Sequence, residues 1–182
     1  ETLGAIYIVR DPRNVISSMC NHYTMNFNEM YNKMIDENAS LSTKNSDGDL
    51  SNFSFLGSWS NHYKSWKNNF EFKTLFVKYE DLEENAHDEF WKILTFIEEL
   101  TGKNEPINKR KFKNAINSTN FSSLKQKEKL HGFKESLTYK KDSKTNFFNL
   151  GFKNKWQQNL PEEISSKIKE KFFNELKELK YE

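Results

Sequence analysis

Two short apolar runs, residues 5–9 and 74–79, stand out in an otherwise polar chain. Both are rich in β-branched and aromatic residues, and continuous runs of this length are typical of strands buried on both faces. A long stretch of helical pattern separates them, and parallel strands need a crossover of that kind. The pattern therefore predicts an α/β fold with a parallel sheet.

Helix signals surround these strands. Asp11 and Pro12 predict a helix start, because the carboxylate accepts from free backbone N–H groups and proline at the first helical position gives up no needed donor. Aromatic residues at helical spacing predict an amphipathic helix over residues 57–69. The aromatic residues of that stripe are Trp59, Tyr63, Trp66 and Phe70.

The second half of the chain predicts more helices and more loop. Glu80 and Asp81 predict a helix cap, and the helix that follows stops at Gly102, a typical C-terminal signal. A basic helix is expected over residues 107–116, a polar break over 117–124 and irregular structure over 126–149. The last helix begins at Pro161, with an apolar stripe formed by Ile164, Ile168, Phe172, Leu176 and Leu179.

The polar stretch 39–52 predicts a surface loop, with a lid over a substrate as the alternative. The length of 182 residues fits a single domain over residues 1–182. A net charge of +2 argues against bulk electrostatic binding of nucleic acid. Cys20 is the only cysteine, which excludes an intrachain disulfide and favours a reducing, cytoplasmic compartment. No apolar run is long enough to cross a bilayer, so no membrane association is expected.

The clearest candidate for chemistry lies where the first strand ends. Arg10 occupies that position, and the N-terminus of the next helix points to the same place, which makes an anion site. Ligands of open α/β sheets bind at this edge. Ser18, on the early turns of the helix, adds a hydroxyl donor. The alternative is a solvated arginine and an ordinary surface serine.

Four segments in order resemble the sulfotransferases that use 3′-phosphoadenosine 5′-phosphosulfate (PAPS). They are residues 6–18, 57–66, 76–82 and 118–125. The resemblance implies that Arg10 and Ser18 hold the 3′-phosphate of the donor. It also implies that Tyr79, Thr119 and Phe121 hold its adenine, and that the reaction releases 3′,5′-adenosine bisphosphate (PAP) without a metal.

Near the C-terminus the sequence departs from the family pattern of Arg-Lys-Gly followed by a tryptophan. Gly151 and Trp156 keep the family's spacing, but Asn149 and Leu150 replace the basic pair. The resemblance implies that the backbone N–H groups of Leu150 and Gly151 still bind the 3′-phosphate. Either Lys153 or Lys155 is the candidate for the missing charge.

The family fold is a P-loop NTPase-like three-layer α/β/α sandwich with a parallel sheet. Nothing in the chain resembles the family's Gly-rich P-loop with its lysine, so we expect the N-terminal strands and the catalytic residues to lie upstream. The expected function is sulfuryl transfer from PAPS to a hydroxyl or amine of a small-molecule or glycan acceptor entering near residues 39–52. This chain alone is expected to be inactive, and the oligomeric state is left open.

Two other functions fit the same pattern. One is a domain that binds a nucleotide without catalysis, which would agree with the altered residues 149–150. The other is a P-loop small-molecule kinase. A kinase needs a magnesium-binding carboxylate at a strand end, and Arg10 places a cation there instead.

Overall fold

The computed structural model describes residues 2–44, 50–103, 106–133 and 146–182. Contacts divide the chain into two compact units. The first unit comprises Glu1–Arg10, Asn21–Tyr23 and Asn69–Asn154, and the second comprises Asp11–Cys20, Thr24–Asn68 and Lys155–Glu182. The single domain over residues 1–182 stays a prediction.

Four strands and ten α-helices are found in the described residues. The strands are β1 (Gly4–Val9), β2 (Ser40–Lys44), β3 (Leu50–Phe55) and β4 (Lys73–Lys78). The helices are α1 (Pro12–Tyr23), α2 (Phe27–Ile35), α3 (Trp59–Lys67), α4 (Tyr79–Glu84), α5 (Ala86–Thr101), α6 (Lys109–Ser118), α7 (Phe121–His131), α8 (Trp156–Asn159), α9 (Glu162–Lys171) and α10 (Phe173–Glu178). One turn of 3₁₀ helix covers Gly151–Lys153.

The sheet of the first unit confirms the predicted α/β fold with parallel strands. β1 pairs with β4 in parallel register, from Gly4 opposite Lys73 to Val9 opposite Lys78. The prediction that β1 is buried on both faces was wrong, because the side chains of Ile6 and Ile8 are 38% and 53% exposed while Val9 is buried. Alternate residues of a strand point to opposite faces, and the described residues cover the face that carries Val9.

Helices α2, α3, α9 and α10 supply most of the core of the second unit. Four residues of the predicted stripe of the last helix are buried and Leu179 is half-buried. The helix divides into α9 and α10 at Phe172, whose φ is −113°. The Trp59 ring lies 5.1 Å from that of Phe172. The prediction failed for Phe70, which is 95% exposed, because α3 already ends at Lys67.

Residues 40–44 and 50–52 of the polar stretch 39–52 are strand rather than loop, because β2 and β3 pair antiparallel with an irregularity between Leu41 and Thr43. Residues 45–49 lie outside the described residues. Strand pairing is made by backbone N–H and C=O groups, so a polar composition does not prevent it. Among the described residues, no contact supports the alternative of a lid over a substrate.

The predicted break over 117–124 was also wrong, because only Thr119 and Asn120 separate α6 from α7. The Asn120 side chain accepts a hydrogen bond from Ser123 N at 2.9 Å and thereby starts α7. The prediction of irregular structure from residue 126 was wrong as far as His131, where α7 ends. Residues 134–145 lie outside the described residues. The basic helix begins at Lys109 rather than at residue 107 because Asn108 provides its N-cap.

Candidate functional site

Arg10 and Tyr79 occupy equivalent positions after neighbouring strands. Val9 and Lys78 are register partners at the ends of β1 and β4, and Arg10 and Tyr79 each come next in the chain. The Arg10 guanidinium carbon lies 4.2 Å from the centre of the Tyr79 ring. Parallel pairing therefore joins a cation and an aromatic ring at the carboxyl edge of the sheet, where α/β proteins bind ligands.

The Arg10 side chain is only partly satisfied by the protein. Its Nε atom is buried and has no hydrogen-bond partner among the described residues. A buried donor without a partner costs about 1–3 kcal/mol, and stacking on a ring leaves the in-plane donors of a guanidinium available. This arrangement fits an anion that accepts from Arg10.

Tyr79 is held in turn by Glu83, one turn later on α4. The two side chains are hydrogen-bonded, with the phenol as donor to the carboxylate. Burial raises the pKa of Tyr79 and that of Glu83, although the charge of Arg10 acts in the opposite direction on both. Tyr79 begins α4, so the predicted cap at Glu80 and Asp81 was wrong, and both residues lie in the first turn.

A second group of predicted residues lies around Phe121, the first residue of α7. Its ring contacts those of Phe148 and Phe152 edge-on, with centres 6.1 and 6.4 Å apart. Gly151 lies against the same ring: a methyl group added at Gly151 would be 2.6 Å from Phe121 Cε2. With a φ of +57°, Gly151 also adopts a backbone conformation that favours glycine.

The structure thus brings Phe121 and Gly151 together, with Leu150 as the N-cap residue of the adjoining 3₁₀ turn. Thr119 caps α6, and its hydroxyl donates to the Ala115 carbonyl at 2.7 Å. Ser18 is exposed on α1 and belongs to the second unit. The nucleotide-binding roles of all these residues stay predictions.

The sulfotransferase domain family matches residues 3–180. The chain belongs to this family. Sulfotransferase 1B1 of the dog (Canis lupus familiaris) is 34% identical over 102 residues, which cover 56% of this chain and 32% of the relative. This sulfotransferase chain therefore spans about a third of the length of that curated relative.

Solved structures show the same fold. The crystal structure of mouse sulfotransferase SULT7A1 complexed with PAP has a TM-score of 0.62 at 22% identity, covering 94% of this chain and 58% of the other. Retinol dehydratase in complex with androsterone and inactive cofactor PAP has a TM-score of 0.60 at 18% identity, covering 94% and 47%. Both comparisons match a small α/β sulfotransferase-like structure over nearly the whole chain.

Two structural features bear on membranes and metals. None of the described helices combines the length and the apolar character that crossing a membrane requires. Within the described ranges, no three His, Cys, Asp or Glu side chains lie close enough together to hold a metal ion.

Sequence reasoning missed two side chains of α7 that contact the segment before Gly151. Glu128 and Lys125 both bond to backbone groups of residues 147–149. A signal for them exists in the sequence: Glu128 is the only acidic residue between Pro106 and Gly132. Positions 121, 125 and 128 also share one helical face with Phe121.

Proposed function

We propose that this sulfotransferase chain binds the adenosine 3′-phosphate half of PAPS and serves transfer of the sulfuryl group to an acceptor hydroxyl or amine. The observation that carries the proposal is the buried, unpartnered Nε of Arg10 at the carboxyl end of β1. A phosphate supplies the acceptor that this donor lacks, and arginine binds two phosphate oxygens at once.

The adenine of the donor fits the second group of residues. The Phe121 ring offers an aromatic surface, and the close approach of Gly151 keeps the backbone near that ring. Aromatic walls with a few polar groups are typical of sites for flat ligands. Tyr79 and Thr119 are proposed as further contacts of the adenine. Ser18 and the N–H groups of Leu150 and Gly151 are proposed as donors to the 3′-phosphate.

In the proposed reaction an acceptor oxygen or nitrogen forms a bond to sulfur while the bond from sulfur to the phosphate oxygen breaks, and PAP leaves. A base takes the acceptor proton, and we assign no residue of this chain to that role. The contribution of this chain is to bind and orient the donor, which lowers the barrier through positioning. The chain alone is proposed to be inactive.

The relatives support the donor more directly than the acceptor. PAP is the ligand named for both structural neighbours, and one of them also holds androsterone. We propose a small molecule with a hydroxyl or amine as the acceptor, with a glycan as the alternative, entering near residues 39–52. A cytoplasmic location and the three-layer P-loop fold of the whole protein stay predictions.

A second candidate function is nucleotide binding without catalysis. Asn149 and Leu150 support it, because neither side chain carries the charge that the family pattern has there. A small-molecule kinase has less support, since Arg10 occupies a strand end at which a kinase needs a carboxylate for magnesium.

Calorimetric titration tests the proposed donor site. PAP and 5′-AMP are titrated into the wild-type chain, Arg10→Ala and Arg110→Ala, the last removing an exposed arginine of α6. We expect PAP to bind at least about tenfold more tightly than AMP. Arg10→Ala should abolish this preference and Arg110→Ala should retain it. Equal binding of PAP and AMP by the wild type would overturn the proposal.

Turnover distinguishes the two candidate functions. Sulfuryl transfer from PAPS to androsterone is measured with the full-length protein and its Arg10→Ala variant. Product formation that depends on Arg10 supports the sulfotransferase. Tight binding of PAP without transfer to any of a panel of alcohols, phenols and amines favours binding without catalysis.

A further inference from the structure

The segment before Gly151 is attached to α7 by a buried carboxylate. Glu128 is 8% exposed, and its two carboxylate oxygens accept from Phe147 N at 2.5 Å and from Phe148 N at 2.9 Å. One side chain thus holds two consecutive peptide groups. Hydrogen bonds from N–H groups to an ionised carboxylate are stronger than those between neutral groups.

Lys125 makes a third attachment from the preceding turn of α7. Its ammonium group donates to the Asn149 carbonyl at 2.5 Å and lies 5.6 Å from the centre of the Phe121 ring. Residues three and four positions apart are neighbours on a helix, so Phe121, Lys125 and Glu128 form a continuous row. The side chains of this row contact the segment of residues 147–151 at both of its ends and between them.

These attachments control where the next residues lie. Residues 147–149 are bonded to α7, and Gly151 follows two positions later beside the Phe121 ring. The available space is small, because an added methyl group would overlap that ring. A shift of the segment along α7 would therefore change the position of the Leu150 and Gly151 N–H groups relative to Phe121.

We propose that Glu128 and Lys125 are positioning residues that hold the 147–151 backbone in the geometry that receives the donor nucleotide. This inference rests on the proposed function and assigns that site two residues on α7. Neither has to touch the nucleotide. Fixing a binding segment before the ligand arrives reduces the ordering cost of binding and raises affinity.

Lys125 has a second effect through its charge. The side chains of Asn149 and Leu150 are neutral, and the Lys125 ammonium group places a positive charge beside them. An anion bound by the Leu150 and Gly151 N–H groups would be stabilised by that charge. Lys125→Arg should therefore retain more affinity for PAP than Lys125→Gln.

The matched pair Glu128→Gln and Glu99→Gln tests the positioning role. Glu99 is an exposed glutamate of α5 and receives the same substitution. The glutamine amide at position 128 has one acceptor oxygen for the two backbone N–H groups. Its NH₂ group would face the other N–H, so that two donors meet. Two measurements are made on each variant: hydrogen exchange of the Phe147 and Phe148 amides, and titration with PAP and AMP.

We expect Glu128→Gln to speed exchange of both amides and to weaken PAP binding by about tenfold. AMP, which lacks the 3′-phosphate, should lose less affinity. Glu99→Gln should behave like the wild type in both measurements. Thermal unfolding of each variant shows whether it is folded, and Lys125→Gln provides a second variant if Glu128→Gln is not.

The outcomes separate this inference from the proposed function. If the wild type prefers PAP over AMP but Glu128→Gln and Lys125→Gln retain its exchange rates and affinities, the positioning role is overturned and the donor site stands. If the wild type shows no such preference, the proposed function fails and the inference fails with it. Faster exchange with an unchanged PAP affinity would also overturn the positioning role.

Discussion

Arg10 and Arg13 lie three residues apart, at the end of β1 and in the first turn of α1, and their side chains differ in how far the protein supplies hydrogen-bond acceptors for them. Arg13 is 3% exposed. Its donors reach the Asp11 carboxylate, Glu182 Oε1 at 2.6 Å and the Tyr181 carbonyl at 2.8 Å. Arg10 Nε is buried without a hydrogen-bond partner among the described residues.

Stacking on an aromatic ring does not distinguish these two arginines. The guanidinium carbon of Arg10 lies 4.2 Å from the Tyr79 ring centre, and that of Arg13 lies 4.1 Å from the Trp156 ring. What differs is the set of hydrogen-bond acceptors. An arginine whose donors are satisfied by the protein stabilises the fold, whereas an arginine with an unmet buried donor can bind an anion.

The largest effect is expected from Arg13→Met. This substitution removes the guanidinium and with it the buried ion pair between Arg13 and Asp11. Breaking a buried pair from one side costs about 3–5 kcal/mol. Urea unfolding should show this loss, while Arg110→Met, at an exposed site, should stay within about 0.5 kcal/mol of the wild type. Equal stabilities of the two variants would contradict the structural role of Arg13.

Arg10→Lys tests whether Arg10 binds an anion. Lysine retains the charge but lacks the planar fork that binds two phosphate oxygens. We expect the affinity for PAP to fall by about tenfold, or about 1.4 kcal/mol, with the free energy of unfolding almost unchanged. Calorimetry and urea unfolding measure the two quantities. A stability loss as large as that of Arg13→Met would show that Arg10 is also structural.

The position of Arg10 at a strand end could be predicted from the sequence, whereas the contacts of Arg13 could not. Arg10 is recognised from local signals, because the strand before it and the helix start after it are both visible in neighbouring residues. Arg13 depends on Tyr181 and Glu182, which are 168 and 169 positions away in the chain. No local pattern encodes such a contact.

Elements stabilised by backbone pairing or by a single cap were also predicted poorly, but for a different reason. The strands β2 and β3 lie in a polar stretch, and their pairing uses main-chain groups that are present in every residue other than proline. α7 begins at the Asn120 cap within a segment of low hydrophobicity. The parallel pair β1 and β4 was predicted because its apolar runs are distinctive.

Acid should weaken the contacts of Arg13 by protonating the Glu182 carboxylate. Hydrogen bonds from Lys169 and from Arg13 hold the pKa of Glu182 below its ordinary value of 4.5. A lowered folded pKa gives stability that is complete above 4.5 and is lost as the pH falls through the folded pKa. The difference in unfolding free energy between the wild type and Glu182→Gln should therefore be at most about 1 kcal/mol at pH 7. It should shrink below pH 4.5, and a difference independent of pH would contradict this assignment.

Glu83 should respond to acid with the opposite sign. Burial raises its pKa despite the nearby Arg10 charge. The folded state then binds a proton more readily than the unfolded one, so this carboxyl favours folding more as the pH falls through its folded pKa. Relative to Glu83→Gln, the wild type should gain stability between pH 7 and pH 4, the reverse of the trend for Glu182→Gln. Parallel trends in the two comparisons would contradict the contrast between the two sites.

The smallest effect is expected from Tyr79, and it tests whether stacking matters at Arg10. Tyr79→Phe retains the ring and removes the hydrogen bond to Glu83, whereas Tyr79→Leu removes both. Because a partly exposed cation–π contact contributes about 0.5–1 kcal/mol, Tyr79→Leu should weaken PAP binding by about two- to fivefold relative to Tyr79→Phe. If the two variants bind PAP equally, stacking does not orient Arg10, and the anion site depends on the strand end and its unmet donor alone.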